Sequence, residues 1–470
     1  MAKIGSMMDI GKRSMMNSQT ALQTVSHNIA NRTTEGYSRQ RVDTVTAVPI
    51  TEGNLQLGMG NRAASVSRTN NPYLEKQLQK ETGQMGMFEG RSDAMGRVEQ
   101  VFNEQINKGL NQYMTDFFNG FRELSNNPES VTSRTMVKEA GEALAKDFHR
   151  VDHQLTEIQK DLDERVKNEV QEINKMTKEV GTLNQQIAQT ELQGIPANDQ
   201  RDRRDVLLKH INEKIDINYA EGSNGMVTIQ TAGNAILVSG LDSYEMQTHE
   251  NPTTQHVEVY FKPGDHTPAF AITDRIRGGT IGGLLDVRDK VVPDFKDKMD
   301  HMATTLAREV NSAHLQGFDR RGRQGLTFFE LGPQTEGASR EIKVNDAIVN
   351  DVNRIAAASK PNAVGDNTVA NVVSQLQYKE VMDGNSSTMD DYYNSQVGRV
   401  GVIAQRADKA KEAQGNILKQ LDTLRESVSG VSLDEETTKM IEWQKSFDAS
   451  ARVIRTADEM FDTVLNLKRL

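Results

Sequence analysis

Two histidines and an acid lie close together in the sequence. His149 and His153 are four residues apart with Asp152 between them, a spacing that can place two metal ligands on one face of a helix. No glutamate occupies the position that the zinc-hydrolase signature requires, and the surrounding sequence indicates no third ligand. We therefore expect a solvated helix face here and no metal site.

A glycine-rich stretch is the next candidate, because such loops can hold phosphates. The segment RGGTIGGLL, residues 277–285, lacks both the GK[ST] ending of a phosphate loop and the GxGxxG spacing of a dinucleotide loop. Glycines also give the backbone freedom where the chain passes from one element to the next. We expect that role, at the passage from a β region into a helix, and no cofactor.

A third candidate is DQRDRRD, residues 199–205, which combines three aspartates with three arginines. Neighbouring carboxylates do acid–base chemistry only where a pocket moves their pKa values apart. Each acid here lies beside an arginine at a predicted helix start, which favours ion pairing on an exposed surface. No grouping of serine, histidine and acid stands out, so the sequence predicts no enzyme.

The composition limits the class of protein. A chain of 470 residues exceeds one ordinary core and predicts two or three domains. Hydrophobic residues make up 36% and charged residues 26%, which favours long solvated helices over a compact enzyme. The net charge of −10 argues against nucleic acid as a partner, and no apolar run predicts a membrane span. Without cysteine, neither disulfides nor thiolate chemistry are available, and the N terminus does not resemble a cleaved secretory signal.

Both ends of the chain predict helices with a narrow apolar seam. The N-terminal seam alternates spacings of four and three residues, as in a coiled coil. At the other end, SGVSLDEE supplies a glycine stop and a capping box formed by Ser432 and Glu435, and a second heptad series follows. We expect the two helices to pair. The seam residues are Ile4, Met8, Gly11, Met15, Ser18, Leu22, Val25 and Ile29, then Met440, Phe447, Ala451, Ile454, Phe461 and Leu465.

The middle of the chain predicts an elongated helical bundle that carries an outward β insertion. An apolar repeat from Leu144 to Ile187 predicts a helix of about 50 residues. Short alternating runs such as HVEVYFK, with a hairpin signal at Asn224 and Gly225, predict the strands. The fold class is therefore mainly α with a small inserted β domain. The predicted parts are an N-terminal helix and loop (1–70), a bundle (71–215 and 281–430) with an irregular excursion (317–367), the β domain (216–280) and a C-terminal helix (431–470).

The polar stretch that follows the first seam carries a resemblance. ALQTVSHNIANRTTEGYSRQ, residues 21–40, resembles the N-terminal signature of bacterial flagellar axial proteins, which build the rod, the hook and the hook–filament junction. The form NIAN, then T, then GYSRQ is most similar to the junction members of that family. NDQRDRRDVLLKHI, GGTIGGLLDVRDKVVPDF and the C-terminal SGVSLDEETTKMIEWQKSFDASARVIRTADEMFDTVLNL point the same way.

The resemblance implies a structural adaptor that joins hook to filament and assembles into a ring through its terminal helices. It also implies type III export without a cleaved signal peptide, with an export chaperone holding the C-terminal helix. The implied partners are other copies of the chain, the hook protein and a second junction protein. Carried over by position, and with the seam residue Phe447, the expected assembly residues are Leu22, Val25, Asn28, Ile29, Asn31, Gly36, Tyr37, Phe447, Ile454, Phe461 and Leu465.

Three other functions remain open from the sequence. A hook or rod component would share the axial signature, although the long helical bundle argues against it. An intracellular coiled-coil signalling protein would share the long helix but has no need of GYSRQ. A cell-wall hydrolase would need a carboxylate pair in a pocket, and the short β insertion offers none.

Overall fold

Long helices dominate the computed structural model, which describes residues 2–52, 55–102, 108–264 and 267–467. None of the helices in these ranges combines the length and the apolar character that crossing a membrane requires. The helices are α1 (Ala2–Ala30), α2 (Pro72–Val101), α3 (Leu110–Asn126), α4 (Val131–Glu191), α5 (Asn198–Lys214), α6 (Gly279–Asp286), α7 (Val292–Leu315), α8 (Ala338–Glu341), α9 (Asp346–Asn350), α10 (Thr368–Gln375), α11 (Met389–Ser429) and α12 (Leu433–Leu467).

The strands form small separate sheets. They are β1 (Gln40–Thr46), β2 (Ile50–Glu52), β3 (Leu55–Leu57), β4 (Asn61–Arg68), β5 (Ile217–Glu221), β6 (Val227–Thr231), β7 (Ala235–Ser239), β8 (Asp242–Ser243), β9 (Met246–Glu250), β10 (Val257–Phe261), β11 (Phe270–Ala271), β12 (Phe329–Glu330) and β13 (Lys343–Val344). The fold is mainly α with a β insertion, which confirms the fold class predicted from the sequence.

The central helix α4 has 61 residues and is the longest element of the bundle. Ser130 caps its start, where the Ser130 hydroxyl accepts a hydrogen bond from the Ser133 N–H at 3.1 Å. Apolar residues at helical spacing, among them Leu144, Phe148 and Val151, are fully buried against α3 and α7. The helix begins 13 residues before the apolar repeat by which the sequence predicted it.

The β insertion packs along α4 and shares its core. β5, β6, β7 and β8 form one antiparallel sheet, and β9, β10 and β11 form a second. Polar side chains of α4 bind the first residue of one strand in each sheet, β9 and β6. Asn174 exchanges two hydrogen bonds with the backbone of Met246, at 2.7 and 2.9 Å, and Asn184 does the same with Val227, at 2.9 and 3.1 Å. These contacts fix the insertion on the long helix.

The glycine-rich segment serves close packing of α6 on α2. A side chain at Gly90 of α2 would place its Cβ 2.7 Å from the Thr280 carbonyl oxygen, and one at Gly283 of α6 would overlap the Met87 carbonyl oxygen. Gly279 has a φ of +69°, a left-handed conformation that glycine adopts without a steric penalty. The segment therefore enables a helix–helix contact as well as the turn that the sequence predicted.

Residues 317–367 fold back onto the bundle, where the sequence predicted an excursion away from it. Phe328 and Phe329 pack on Phe117 of α3, with ring centroids 5.5 and 5.4 Å apart, and Phe328 also contacts Phe121. These rings are buried in the main core. Aromatic side chains in a turn-rich segment anchor it, because each buries a large apolar area.

An extended arm runs along α1, in a region where the sequence predicted no strand. β1 and β4 pair antiparallel from Gln40 opposite Arg68 to Thr46 opposite Asn61. Asn17 of α1 holds the arm, since its side chain donates to the Asn61 carbonyl oxygen at 2.9 Å and accepts from the Ala63 N–H at 2.7 Å. β2 and β3 continue the arm as a second two-stranded sheet.

Candidate assembly interface and its joint to the bundle

The terminal helices α1 and α12 pair in antiparallel fashion through small residues. A side chain at Gly11 would place its Cβ 2.7 Å from Ile454 Cγ1, so only glycine permits this approach of the two helices. Further along, the Ser450 hydroxyl donates to the Ser14 hydroxyl at 2.7 Å, and the Ser18 hydroxyl donates to that of Ser446 at 3.2 Å. Small residues at the contact leave larger apolar side chains on the outer faces of the pair.

The expected seam residues divide by burial. Val25 is buried within the chain, Leu22 and Ile29 are half-buried on α1, and Phe447, Ile454 and Phe461 are half-buried on α12. Leu465 is 47% exposed. Apart from Val25, the pairing therefore covers only part of each of these side chains and leaves the rest open.

The heptad analysis missed further apolar residues outside the seam. Exposed members of this set are Met7, Met16, Ile441, Val453, Met460 and Val464, and the seam residue Met8 is exposed as well. The signal that could have found them is the presence of apolar residues on more than one face of helices in an otherwise highly charged chain. Their exposure widens the open apolar surface of the α1–α12 pair.

Asn28 organises the loop that follows α1, and all of its hydrogen-bonding groups are used. Its amide nitrogen donates to the Gln40 carbonyl oxygen and to Glu436 Oε2, both at 2.9 Å. Its oxygen accepts from the Gln40 N–H at 3.0 Å and from the Tyr37 hydroxyl at 2.7 Å. One buried side chain thus joins α1, the loop and α12.

Glu436 is the other half of this junction, with a side chain only 1% exposed. A buried carboxylate requires paired charge, and Arg39 supplies it through Nε at 3.1 Å. Arg39 also reaches Glu435 through Nη1 at 3.0 Å, and its backbone N–H donates to the Ser429 carbonyl oxygen at 2.9 Å. The loop is therefore tied to the turn between α11 and α12.

Tyr37 stays a hydrogen-bond donor in this setting. Burial raises the pKa of Tyr37 above its ordinary value, and the carboxylates of Asp199, Asp202 and Glu436 raise it further. The protonated hydroxyl can then keep its bond to Asn28. The His27 and Tyr37 rings pack in a T-shaped arrangement, with their ring centroids 5.6 Å apart.

The other two loop residues expected from the sequence support the same joint. Asn31 is half-buried and donates from its side chain to the His27 carbonyl oxygen at 3.1 Å, which closes the end of α1. Gly36 has a φ of +76°, and a Cβ there would overlap Val206 Cγ2 of α5. The Gly36 carbonyl oxygen accepts from Arg425 Nη2 at 3.1 Å. The structure brings Asn28, at the end of α1, together with Asn31, Gly36 and Tyr37 of the following loop.

We call the contact between residues 28–40 and the bundle the joint. The charged segment of α5 is the part of the bundle that takes part in it. Asp202 and Arg204 both form ion pairs, as predicted, but both are buried, so the predicted exposure is wrong for these two residues. Asp202 accepts from the Ser38 N–H at 2.9 Å and from Arg68 Nη1 at 2.7 Å. Burial raises the pKa of Asp202, and these two donors oppose that shift. Arg204 Nη1 donates to the Gly225 carbonyl oxygen at 2.6 Å.

The histidine pair on α4 does not form a metal centre. His149 donates through Nε2 to the Ile342 carbonyl oxygen at 2.8 Å, while His153 is exposed. Across the ranges that the structure describes, no group of three or more His, Cys, Asp or Glu side chains could hold a metal ion. Asp152 instead forms an ion pair with α7, with its Oδ1 at 3.4 Å from Lys296 Nζ.

Comparison with known proteins decides the family. Residues 95–329, half of the chain, match the model of the flagellar hook-associated protein FlgK helical domain. The chain belongs to the FlgK family of flagellar hook-associated proteins. Residues 425–467 also match the C-terminal model of the flagellar basal body rod FlgEFG proteins, a match that covers the whole of α12.

Full-length relatives agree with this FlgK assignment. The chain is 29% identical to flagellar hook-associated protein 1 of Bacillus subtilis, with 98% of this chain and 97% of the relative aligned. It is 24% identical to the protein of the same name from Escherichia coli, with 96% and 97% aligned. FlgK proteins are structural components of the flagellum, so an intracellular signalling role and a hook or rod identity are both set aside.

A solved structure supports the fold independently. The flagellar hook junction protein FlgK from Burkholderia pseudomallei aligns with a TM-score of 0.70 and 15% identity, over 75% of this chain and 100% of that one. At this identity the likeness establishes the shared fold alone. The two proteins therefore share a fold over three quarters of this chain.

Proposed function

We propose that this chain is the structural adaptor that joins the flagellar hook to the filament and assembles as a ring of copies through its terminal helices. It has no catalytic role in this account. The proposal divides the chain into an axial part (1–70 and 431–470), a bundle (71–215 and 281–430, with 317–367 within it) and a β insertion (216–280). The hook must bend while the filament stays stiff. A protein that lies between them therefore has to fit the subunit arrangements of both.

The observation that carries the proposal is the open apolar surface along the α1–α12 pair. Ile441, Met460 and Leu465 expose about half of their side chains or more on a helix that is otherwise charged. Contiguous exposed apolar residues on a soluble protein mark contacts with other proteins. Leu22, Val25, Ile29, Phe447, Ile454, Phe461 and Leu465 then form the packed wall, and the Asn28 loop sets the angle between that wall and the bundle.

The relatives' names, hook-associated protein and hook junction protein, support the hook as one neighbour. The hook protein would lie on one side of the ring and a second junction protein on the other. Export through the flagellar type III apparatus, without a cleaved signal peptide, fits a chain without cysteine. An export chaperone would cover the apolar faces of α12 before assembly, since those faces are exposed in the single chain.

Deletion of the gene tests the proposal. Electron microscopy of the deletion strain should show hooks without filaments, with flagellin shed into the medium, and the intact gene supplied in trans should restore filaments. Normal filaments in the deletion strain would contradict the junction role. Release of soluble fragments from peptidoglycan by the purified protein would contradict the absence of catalysis.

A further inference from the structure

Methionine is the only sulfur-containing residue of this chain. The sequence has 20 methionines and no cysteine, so thioethers are the only sulfur groups that an oxidant can reach. Among the residues that the structure describes, five methionines are exposed, and four of these five lie on the terminal helices. The four are Met7, Met8 and Met16 on α1 and Met460 on α12, and they are called the exposed terminal methionines below.

Met16 lies on the face of α1 that points away from α12. Ser14 and Ser18 both contact α12, and Met16 is two residues from each of them. Residues two apart in a helix do not share a face, so Met16 lies on the side opposite the pairing. It is 58% exposed. The pairing of α1 with α12 therefore leaves this thioether open to solvent.

The other three exposed terminal methionines lie near one end of the helix pair. The antiparallel register that sets Gly11 opposite Ile454 places Met7 and Met8 opposite the turn of α12 that precedes Met460. Met460 is 47% exposed. Three thioethers thus lie close together at the start of α1, which is the end of the pair farthest from the Asn28 loop.

These methionines belong to the open apolar surface that the proposed function assigns to subunit contacts. Methionine is unbranched and flexible, so its side chain adapts to surfaces of different shape. That property suits a helix pair proposed to pack on other copies and on the hook. The same thioethers are exposed in the single chain and covered in the proposed ring, so their chemical accessibility depends on assembly.

We propose that the exposed terminal methionines are oxidation sites that control assembly: peroxide converts their thioethers into sulfoxides in the free chain, and the oxidised chain does not pack into the ring. The sulfur attacks one peroxide oxygen, the O–O bond breaks, an S–O bond forms and water is released. The sulfur loses two electrons and the peroxide gains them. The inference rests on the proposed function, because it needs the terminal helices to form the packed wall.

A sulfoxide changes this surface from apolar to polar. Its oxygen accepts hydrogen bonds strongly, and an apolar contact offers no donor, so its burial is unfavourable. Several sulfoxides in one contact should weaken binding about tenfold or more. Once the helices are packed, peroxide no longer reaches the thioethers. Incorporation of the chain is therefore sensitive to peroxide, whereas the finished ring is not.

The bundle supplies methionines that serve as internal references. Met136, near the start of α4, is 52% exposed, which is close to the value for Met16. Peroxide should oxidise Met136 as well, but without effect on the packing of the terminal helices. Met95 and Met299 are fully buried and should stay reduced as long as the bundle is folded.

Binding of the purified chain to hooks tests the inference. Hooks are isolated from the deletion strain, and the chain is treated with hydrogen peroxide, whose excess is removed with catalase. Peptide mass spectrometry locates the sulfoxides, and sedimentation of the hooks measures the bound chain. The oxidised wild type should bind about tenfold or more weakly than the untreated chain. Methionine sulfoxide reductases should restore binding, because they return the sulfoxides to thioethers.

Leucine at all four positions gives the decisive variant, because leucine is apolar, similar in volume to methionine and inert to peroxide. The combined substitutions are Met7→Leu, Met8→Leu, Met16→Leu and Met460→Leu. This four-leucine variant should bind hooks equally well before and after peroxide, although its Met136 is still oxidised. The matched control Met136→Leu should remain as sensitive as wild type. Circular dichroism should show the same helix content in both variants.

Two binding results would overturn the inference. One is loss of binding by the peroxide-treated four-leucine variant, and the other is unchanged binding by wild type that carries sulfoxide at all four positions. Failure of the untreated wild type to bind hooks would instead contradict the proposed function.

Oxidation of isolated flagella gives a second, independent readout. In the assembled ring the exposed terminal methionines should react with hydrogen peroxide about tenfold or more slowly than in the free chain, because susceptibility follows exposure. Equal rates in flagella and in the free chain would contradict their burial on assembly.

Discussion

Asn28 and Glu436 are 408 positions apart in the chain and are joined by a hydrogen bond of 2.9 Å in a buried site. The bond links the end of α1 to the first turn of α12. The Asn28 side chain also binds both the N–H and the carbonyl oxygen of Gln40. It therefore directs the polypeptide into the arm. The two terminal helices and the arm therefore meet at one amide group.

Replacement of Asn28 by Asp should weaken the contacts that join α1 to the arm and to α12. The new carboxylate cannot donate to Glu436 and faces it as a like charge, so we expect a loss of about 1 to 3 kcal/mol. The measurement is the temperature at which filaments detach from cells, which should fall. Gln23→Asp, at an exposed position of α1, is the control. Equal detachment temperatures for both variants and wild type would contradict the role given to Asn28.

Gly36→Ala should destabilise the joint by steric overlap and by backbone strain. The added Cβ overlaps Val206 Cγ2, and alanine disfavours the φ of +76°, for an expected cost of about 1 to 3 kcal/mol. Urea denaturation of the purified chain measures this cost. The double variant Gly36→Ala with Val206→Ala should recover part of the loss, because it removes the overlap but leaves the strain. Purely additive effects would argue against contact between these two residues.

The fold was predictable from sequence where apolar residues repeat at helical spacing. The seams of α1 and α12 and the core face of α4 fall into this class, since burial of a stripe imposes the repeat. The four loop residues of the joint came from the family resemblance, but their partners on the bundle were not predictable, because these partners are polar and distant in sequence. Asp202 meets Arg68 across 134 positions, and a run of charges normally marks a solvated helix.

The arm escaped prediction for a different reason. β1 reads QRVDTVT, in which the two valines are three residues apart and do not alternate, and its register shifts between Asp43 and Thr44. Contact with Asn17 of α1 stabilises the arm, and this contact leaves no local signal in the sequence. Tertiary contacts commonly outweigh the weak strand preference of such a segment.

His314 should make the stability of the bundle depend on pH. It is buried and neutral, its Nδ1 donating to the Leu326 carbonyl oxygen at 2.5 Å and its Nε2 accepting from the Ala356 N–H at 2.8 Å. Burial lowers the pKa of His314 to about 4. The unfolded chain binds a proton near pH 6.5 and the folded chain does not, so stability should fall between pH 6.5 and 4 by about 3 kcal/mol.

Urea denaturation across this pH range measures the effect. In His314→Gln the amide can both donate and accept but does not titrate there, so the free energy of unfolding should change less with pH than in wild type. The difference between the two curves separates the contribution of His314 to the pH dependence of stability from that of the carboxylates. Parallel curves would contradict the assignment of a buried neutral histidine.

The terminal helices are expected to fold only on assembly. Their seams bury few large side chains, and pairing of α1 with α12 alone offsets little of the entropy of ordering both helices. Amide hydrogen exchange of dilute monomer should therefore show weak protection across residues 5–30 and 440–465, with strong protection in α4 as the internal reference. Strong protection of both terminal segments in the monomer would contradict this expectation.

The most direct test of the account places a charge in the proposed wall. Ile454→Asp and Phe461→Asp, each introduced into the chromosomal gene, should cost several kcal/mol in the assembled state because a buried carboxylate lacks a partner there. Leu192→Asp serves as the control, because Leu192 is 86% exposed at the end of α4, and secretion of each variant into the medium is verified. Electron microscopy should show hooks without filaments for both wall variants and normal filaments for the control. Normal filaments and motility in either wall variant would contradict the central claim that the terminal helices build the junction.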